Sequence, residues 1–279
     1  MSIIKFKANK DKCTLCGQCA ADCPANIIAM TDNGPRVAPE NEALCYKCQH
    51  CLAVCPTGAA SVLGLDPVDS TLLAGTFPTA VQLESLIKGR RSVRRYKDED
   101  LSPEFIRHLL ATALHAPSGR NVRKVLFTVI DNRATLAKFR AKALEGLARV
   151  AREGKLPPGM ERFADFPVLW ETKKVDVLFR GAPHLVVASA PKDCASPLQD
   201  CVIALSYFEL LAQTQGVGTV WDGLAKWVIG DILPGLRLEL KIPEDHLIGY
   251  AMVFGKPAVK YSRTVQHGPA NIVTVDLHA

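Results

Sequence analysis

The sequence predicts an α+β protein in two unequal parts, a small cysteine-rich module followed by a larger sandwich of mixed sheet flanked by helices. Three observations carry this. Eight of the ten cysteines fall before residue 56. They form an internal duplication, with Cys13, Cys16, Cys19, Cys23 and Pro24 recurring as Cys45, Cys48, Cys51, Cys55 and Pro56, each shifted by 32 residues. After a stretch punctuated by Gly and Pro, helical and strand signals then alternate to the end of the chain.

The first part spans residues 1–63. Disulfides do not explain its cysteine spacing, which is that of metal ligands. Between the repeats, Ile27-Ile28-Ala29-Met30 and Arg36-Val37-Ala38 flank Asp32-Asn33-Gly34, where the Asn-Gly pair readily adopts positive φ, so a small hairpin is expected. So little apolar sequence cannot sustain a fold unaided, and bound metal must supply much of the folding free energy.

Residues 64–80, with Asp66-Pro67, Gly75 and Phe77-Pro78-Thr79, read as a linker. In residues 81–279, Ser102-Pro103-Glu104 supplies a cap, a first-turn proline and an acid suited to the dipole, opening a helix to His115. Val125–Ile130, Leu185–Ala190 and Leu247–Phe254 are short apolar runs bounded by turn residues, hence strands. Ser196-Pro197 opens a helix to Gln213 that is apolar around most of its circumference, buried centrally or against a second subunit. Residues 155–167 fit no period and read as a loop or lid.

Composition narrows the functional classes. With 48% hydrophobic and 22% charged residues the chain is neither disordered nor a disulfide miniprotein. No apolar run approaches the roughly 18 residues that cross a bilayer, and Lys5 and Lys7 are not followed by an apolar signal core, so a cytoplasmic protein without a membrane partner is expected. Residues 1–63 hold six Lys or Arg against five Asp or Glu, leaving 28 against 23 for the remainder. The net +6 is modest and no nucleic-acid motif accompanies it, so no nucleic-acid partner is expected.

Each cysteine run has the Cys-x2-Cys-x2-Cys-x3-Cys-Pro spacing of bacterial two-cluster ferredoxins, in which the fourth cysteine serves the other cluster. By that resemblance Cys13, Cys16, Cys19 and Cys55 hold one [4Fe-4S] cluster, and Cys45, Cys48, Cys51 and Cys23 hold the other. Zinc also accepts four thiolates, but a zinc ribbon has no use for the third and fourth cysteines of each run. With every ligand position filled, such clusters carry single electrons. Cys194 and Cys201 lie apart and read as packing thiols, and His50 lacks a partner at ligand spacing.

The run Lys88 to Lys97 gathers six cations and a hydroxyl, suiting a phosphate, an anionic surface or simply solvent. Within it, Arg90-Arg91-Ser92-Val93-Arg94 resembles the opening motif of the nitroreductase family of FMN enzymes. Ala116-Pro117-Ser118-Gly119-Arg120-Asn121 is similar to its Ala-Pro-Ser-x-x-Asn loop, Gly216-Val217-Gly218-Thr219-Val220-Trp221-Asp222-Gly223 to its Gly-Leu-Gly-Thr-x-Trp-x-Gly, and Gly255-Lys256-Pro257 with Lys260 and Arg263 to its basic C-terminal segment. The resemblance covers residues 81–279. It implies a nitroreductase-like domain and a homodimer with FMN at the interface. Arg90 and Ser92 would meet the phosphate, finished by Lys260 and Arg263, Arg94 the pyrimidine edge, and Arg91 would also bind the cofactor. Pro117, Ser118 and Asn121 would come from the partner subunit. Gly218 and Trp221 would line the loop that brings backbone at Asp222 and Gly223 to flavin N5, so no side-chain nucleophile is expected.

Where the family continues x-Gln-Pro-Trp after the Asn, this chain has Val122-Arg123-Lys124, and Arg123 is expected either to add a cation at the flavin N1/O2 edge or to face solvent. His115 and His184 read as helix-end and strand-start residues, and Phe163, Phe166, Trp170 and Phe179 as a roof or as packing under a lid. The combined expectation is an FMN- and iron-sulfur-dependent oxidoreductase. Its two clusters pass single electrons, from a ferredoxin or another redox protein, to or from FMN, which reduces a small organic acceptor such as a nitroaromatic or quinone. The other class considered is an electron-transfer subunit that docks on a larger redox partner, with FMN as relay. Because each oxidised cluster with four thiolates carries about −2 and an FMN phosphate about −2, the basic surplus is mostly compensation for cofactors.

Overall fold

The computed structural model describes residues 3–277; Met1, Ser2, His278 and Ala279 lie outside it. The chain divides into two compact units, one of residues 3–77 with Arg120–Val122, the other of 78–119 and 123–277. Residues 64–77 group with the first unit.

In the first unit the elements run β1 (Lys7–Ala8), α1 (Gln18–Ala21), β2 (Ile28–Thr31), β3 (Gly34–Val37), α2 (His50–Ala53) and β4 (Ala60–Ser61). β1 pairs antiparallel with β4, and β2 with β3 forms the expected hairpin, its turn closed by Thr31 Oγ1 donating to Gly34 O at 2.7 Å. The duplication extends to the backbone. Leu15 and Lys47, Gly17 and Gln49, and Asn26 and Gly58 are pairs 32 residues apart, and all six have positive φ. Only two of them are glycine, so the loops accept left-handed strain to wrap round on themselves. The core is small: Ile4, Ile27, Ile28, Leu52 and Val62, completed by two of the thiols, Cys19 and Cys51.

The second unit runs α3 (Ala80–Gly89), α4 (Pro103–Ala113), β5 (Leu126–Ile130), α5 (Arg133–Arg152), α6 (Asp165–Lys173), β6 (His184–Pro191), α7 (Pro197–Thr214), β7 (Gly218–Trp221), α8 (Gly223–Trp227), α9 (Leu236–Glu239) and β8 (His246–Gly255). The four strands form one antiparallel sheet in the order β5-β6-β8-β7, and a single parallel bridge joins Ser92 to Thr219. β6 is buried from His184 to Ala190 because both faces of the sheet are covered, which is why it reads as an unbroken apolar run. Leu185 and Val187 pack into the core under α5, while Val186, Ala188 and Ala190 pack with α4 and α7.

Ser102 caps α4 by accepting from Phe105 N at 3.2 Å, as its sequence predicts. α5, the longest helix, is not among the elements the sequence predicts. Its buried Leu136, Phe139, Ala143, Leu144 and Leu147 follow helical spacing, and Asn132 caps it. At roughly 2 kcal/mol for each buried Leu or Phe, that stripe outweighs the charge on the other face. Residues 155–167 are loop only as far as Met160, after which a 3-10 turn leads into α6. α7 buries Ala204, Leu205, Phe208 and Ala212 against the sheet but leaves Leu198 and Tyr207 exposed, so its apolar circumference is only partly covered within one chain.

Candidate metal centres and cofactor cleft

The eight thiols of the first unit sort crosswise into two cavities of nearly equal size. Cys13, Cys16, Cys19 and Cys55 line one of about 340 Å³, and Cys23, Cys45, Cys48 and Cys51 line another of about 350 Å³. Each therefore takes three thiols from one repeat and the fourth from the other. Among the described residues no three His, Cys, Asp or Glu side chains are grouped to hold a single metal ion. Amide donors already point at sulfur, with Ala59 N to Cys55 Sγ at 3.1 Å and Lys47 N to Cys45 Sγ at 3.3 Å.

As free thiols these groups resist ionisation unevenly. Burial pushes Cys51 up to about 11, reinforced by Cys48, Cys45 and Cys23, and burial likewise raises Cys19, with Cys55 and Cys13 adding to it. Burial also acts on Cys55, but hydrogen bonds from the Ala60, Ala59 and Thr57 backbone and the Thr57 hydroxyl outweigh it and pull that thiol down. Iron would displace these protons on binding, so metal affinity and pH are linked here. The donor set thus fits iron-sulfur clusters, each held by four cysteine thiolates. His50 is engaged with Asp22, Nδ1 to Oδ2 at 3.0 Å.

In the second unit the basic run is tied to the sheet. Val93 N donates to Thr219 O at 2.8 Å, Lys97 N to Lys256 O at 2.8 Å, and Ala258 N to Arg95 O at 2.8 Å. Gly218 is glycine because Val93 lies on it; a Cβ there would come within 2.5 Å of the valine side chain. Arg91 Nε donates to Arg90 O at 2.5 Å, and Arg94 Nη1 to Ser92 O at 3.4 Å. Val93, Gly89 and Gly218 share an open cleft of about 890 Å³ with Lys260 and Arg263. The structure thus brings the first, third and fourth sequence motifs to one place.

At the end of β7 the chain turns sharply. Asp222 N donates to Ala251 O at 2.8 Å, while Asp222 Oδ1 caps α8 by accepting from Ala225 N at 2.9 Å. Its Oδ2 is buried without a partner, and burial pushes the carboxyl up to about 7 against the Ala225 hydrogen bond. Tyr96, whose hydroxyl donates to Val93 O at 2.7 Å, is raised by burial and by the nearby Asp222. Over Gly223 lies Tyr250, its hydroxyl 2.9 Å from where a Cβ would sit.

The second motif goes elsewhere. Pro117 and Ser118 line a different cavity, with Leu114, Arg123, Val125 and Asp200, so one chain does not join them to the Lys260 cleft. Arg120, Asn121 and Arg123 all have positive φ, between +50° and +54°. Asn121, which counts with the first unit, donates Nδ2 to Tyr46 O at 2.9 Å. Arg123 Nη2 caps the end of α4 at Leu114 O, 3.0 Å away, a task the sequence reading did not foresee. Phe163, Phe166 and Phe179 are buried and Trp170 lies under Arg140, so this aromatic group packs the core instead of roofing a cavity. His184 is fully buried and accepts from Leu101 N through Nε2, burial lowering its basicity. Cys201 is also fully buried and pushed up to about 12.

The residue the sequence reading passed over is Glu209. Its signal was an acid set between Phe208 and Leu210 in the apolar middle of α7, where Asp200 near the start is the one other charged residue.

A sheet with helices on both faces, a basic segment laid along β7 and a glycine corner after it form the architecture that sequence and structure comparisons identify. The model of the nitroreductase family matches residues 87–256, and that of the 4Fe-4S dicluster domain matches residues 12–59. The chain belongs to the nitroreductase family and is an oxidoreductase that carries an iron-sulfur domain in the same polypeptide. A relative from Methanothermobacter thermautotrophicus, provisionally named NADH dehydrogenase/NAD(P)H nitroreductase, is 28% identical over 62% of this chain and 75% of its own length. One from Archaeoglobus fulgidus with the same name is 27% identical over 62% of this chain and 83% of its own. The structure of a nitroreductase with bound FMN from Bacteroides fragilis covers 71% of this chain and 100% of its own at 22% identity and TM-score 0.56, which shows the shared fold. Among the described residues no helix is long and apolar enough to cross a membrane.

Proposed function

We propose that the protein binds FMN in its second unit and two [4Fe-4S] clusters in its first, and that single electrons pass between them to reduce a small organic acceptor such as a nitroaromatic or quinone. The observation that carries this reading is the crosswise sorting of eight thiols into two matched cavities on the same chain as a nitroreductase fold. FMN supplies the hydride and one-electron chemistry; the protein supplies position, charge and exclusion of water. Arg90, Arg91 and Ser92 with Lys260 and Arg263 would hold the phosphate, and Arg94 the pyrimidine edge. Backbone at Asp222 and Gly223 would face N5 beside Gly218 and Trp221. Pro117, Ser118 and Asn121 would serve the flavin of a second copy in a homodimer. Their separation from the Lys260 cleft and the exposed Leu198 and Tyr207 on α7 favour that arrangement.

Because clusters deliver electrons singly, the donor proposed is a ferredoxin-like protein acting through them. Anaerobic stopped-flow mixing tests this: reduced ferredoxin or dithionite should bleach the flavin faster than NADH does. Flavin reduction by NADH that is as fast or faster in a Cys16→Ser, Cys48→Ser variant would refute the wiring.

A further inference from the structure

A carboxylate taken out of water costs several kcal/mol unless charge and hydrogen bonds offset it. Glu209 is only 6% exposed. Its Oε1 accepts from Thr219 Oγ1 at 2.9 Å and lies 3.4 Å from Arg90 Nη1, and its Oε2 accepts from Trp221 Nε1 at 2.9 Å. One acid on α7 thus binds the basic segment and two residues of β7. A leucine would fill the same space on α7 without needing partners, so the helix does not require the acid. The donors do.

Resting on the reading of the second unit as an FMN site, we propose that Glu209 is a positioning residue that aims Arg90 at the flavin phosphate and ties that end of the site to the glycine corner. A guanidinium has five N–H donors. Glu209 engages Nη1, and among the described residues no other side-chain hydrogen bond of Arg90 exists, which leaves the rest of the fork for an anion. Arg90 is 30% exposed, so that fork is reachable from solvent. Fixing it beforehand removes the rotamer freedom that a long side chain would lose on binding. The linkage continues from Glu209 through Trp221, whose ring meets Tyr250 edge-on at 5.2 Å, to the Tyr250 hydroxyl over Gly223. One buried acid therefore holds Arg90 directly and reaches the glycine corner through Trp221 and Tyr250.

The test is the ratio of the riboflavin to the FMN dissociation constant, measured by flavin fluorescence quenching on the full chain stripped of flavin. Riboflavin lacks the phosphate, so the ratio isolates what Arg90 contributes. Glu209→Gln keeps one oxygen to accept from Trp221 Nε1 and offers its NH2 to the Thr219 hydroxyl, which can accept as well as donate, but discards the ion pair, and the ratio should fall about tenfold. In an Arg90→Gln background the same change should cause no further fall, the coupling expected of residues that act together. A ratio unaltered by Glu209→Gln, or one that falls as much without Arg90, overturns the proposal. Should the Gln variant not fold, Glu209→Met, similar in length and needing no partner, gives the same readout. A wild-type chain with no preference for FMN would overturn the FMN reading itself, a result visible before any variant is made.

Discussion

The two units hold themselves together by different means. The second has an apolar interior on both faces of its sheet, and β6 is buried along nearly its whole length. The first has a handful of aliphatic side chains, and two of its buried groups are thiols facing the cavities. Where one unit is built from residues that need only each other, the other is built round something it must acquire. The lesson is that a site can be a consequence of a fold or its cause.

The largest effect that could break this contrast is the loss of iron. Stripping it from the full chain under reducing conditions should abolish amide protection across residues 3–77 while leaving that of β6 and α7 within about tenfold, read by hydrogen exchange. Retained protection in the first unit would end the distinction.

The second unit has an internal cost of its own, at Asp222. An ordinary aspartate titrates near 3.9, and burial pushes this one up to about 7. Between those values the folded chain keeps a proton that the unfolded chain has released. Stability therefore falls as pH rises from about 4 to about 7 and stays low above that. Asp222→Asn should remove the penalty, gaining up to roughly 4 kcal/mol near pH 8 and progressively less towards pH 5. Urea denaturation of both proteins measures it; parallel pH curves would show that the carboxyl is not strained.

The smallest effect concerns Arg123. As a cap on α4 its loss in Arg123→Ala should cost about 0.5–1 kcal/mol and leave the flavin midpoint potential unchanged. A potential that falls instead would place the guanidinium beside the flavin.

Much of this architecture was legible beforehand, and the exceptions have physical reasons. The resemblance to two-cluster ferredoxins implied a crosswise grouping of the cysteines, and the two cavities group them the same way. Strands β5, β6 and β8 and helices α4 and α7 declared themselves through caps and unbroken apolar runs. α5 did not, since its charged face hides a stripe that only periodicity counting would reveal. Leu15, Lys47 and Gln49 in left-handed conformations could not be foreseen from residue type, which favours glycine there. Glu209 went unremarked because an acid on an apolar helix has no meaning until Arg90, Thr219 and Trp221 are brought to it. The Arg123 cap depended on a loop returning to the helix it had just left.

Lending Cys23 and Cys55 across the duplication makes the two halves of the module hostages to one another. With the proposed clusters bound, neither would be lost alone, since disorder in one repeat would displace a cysteine that lines the cavity of the other. Assembly should accordingly be all or nothing, and partly filled protein should be scarce in any preparation.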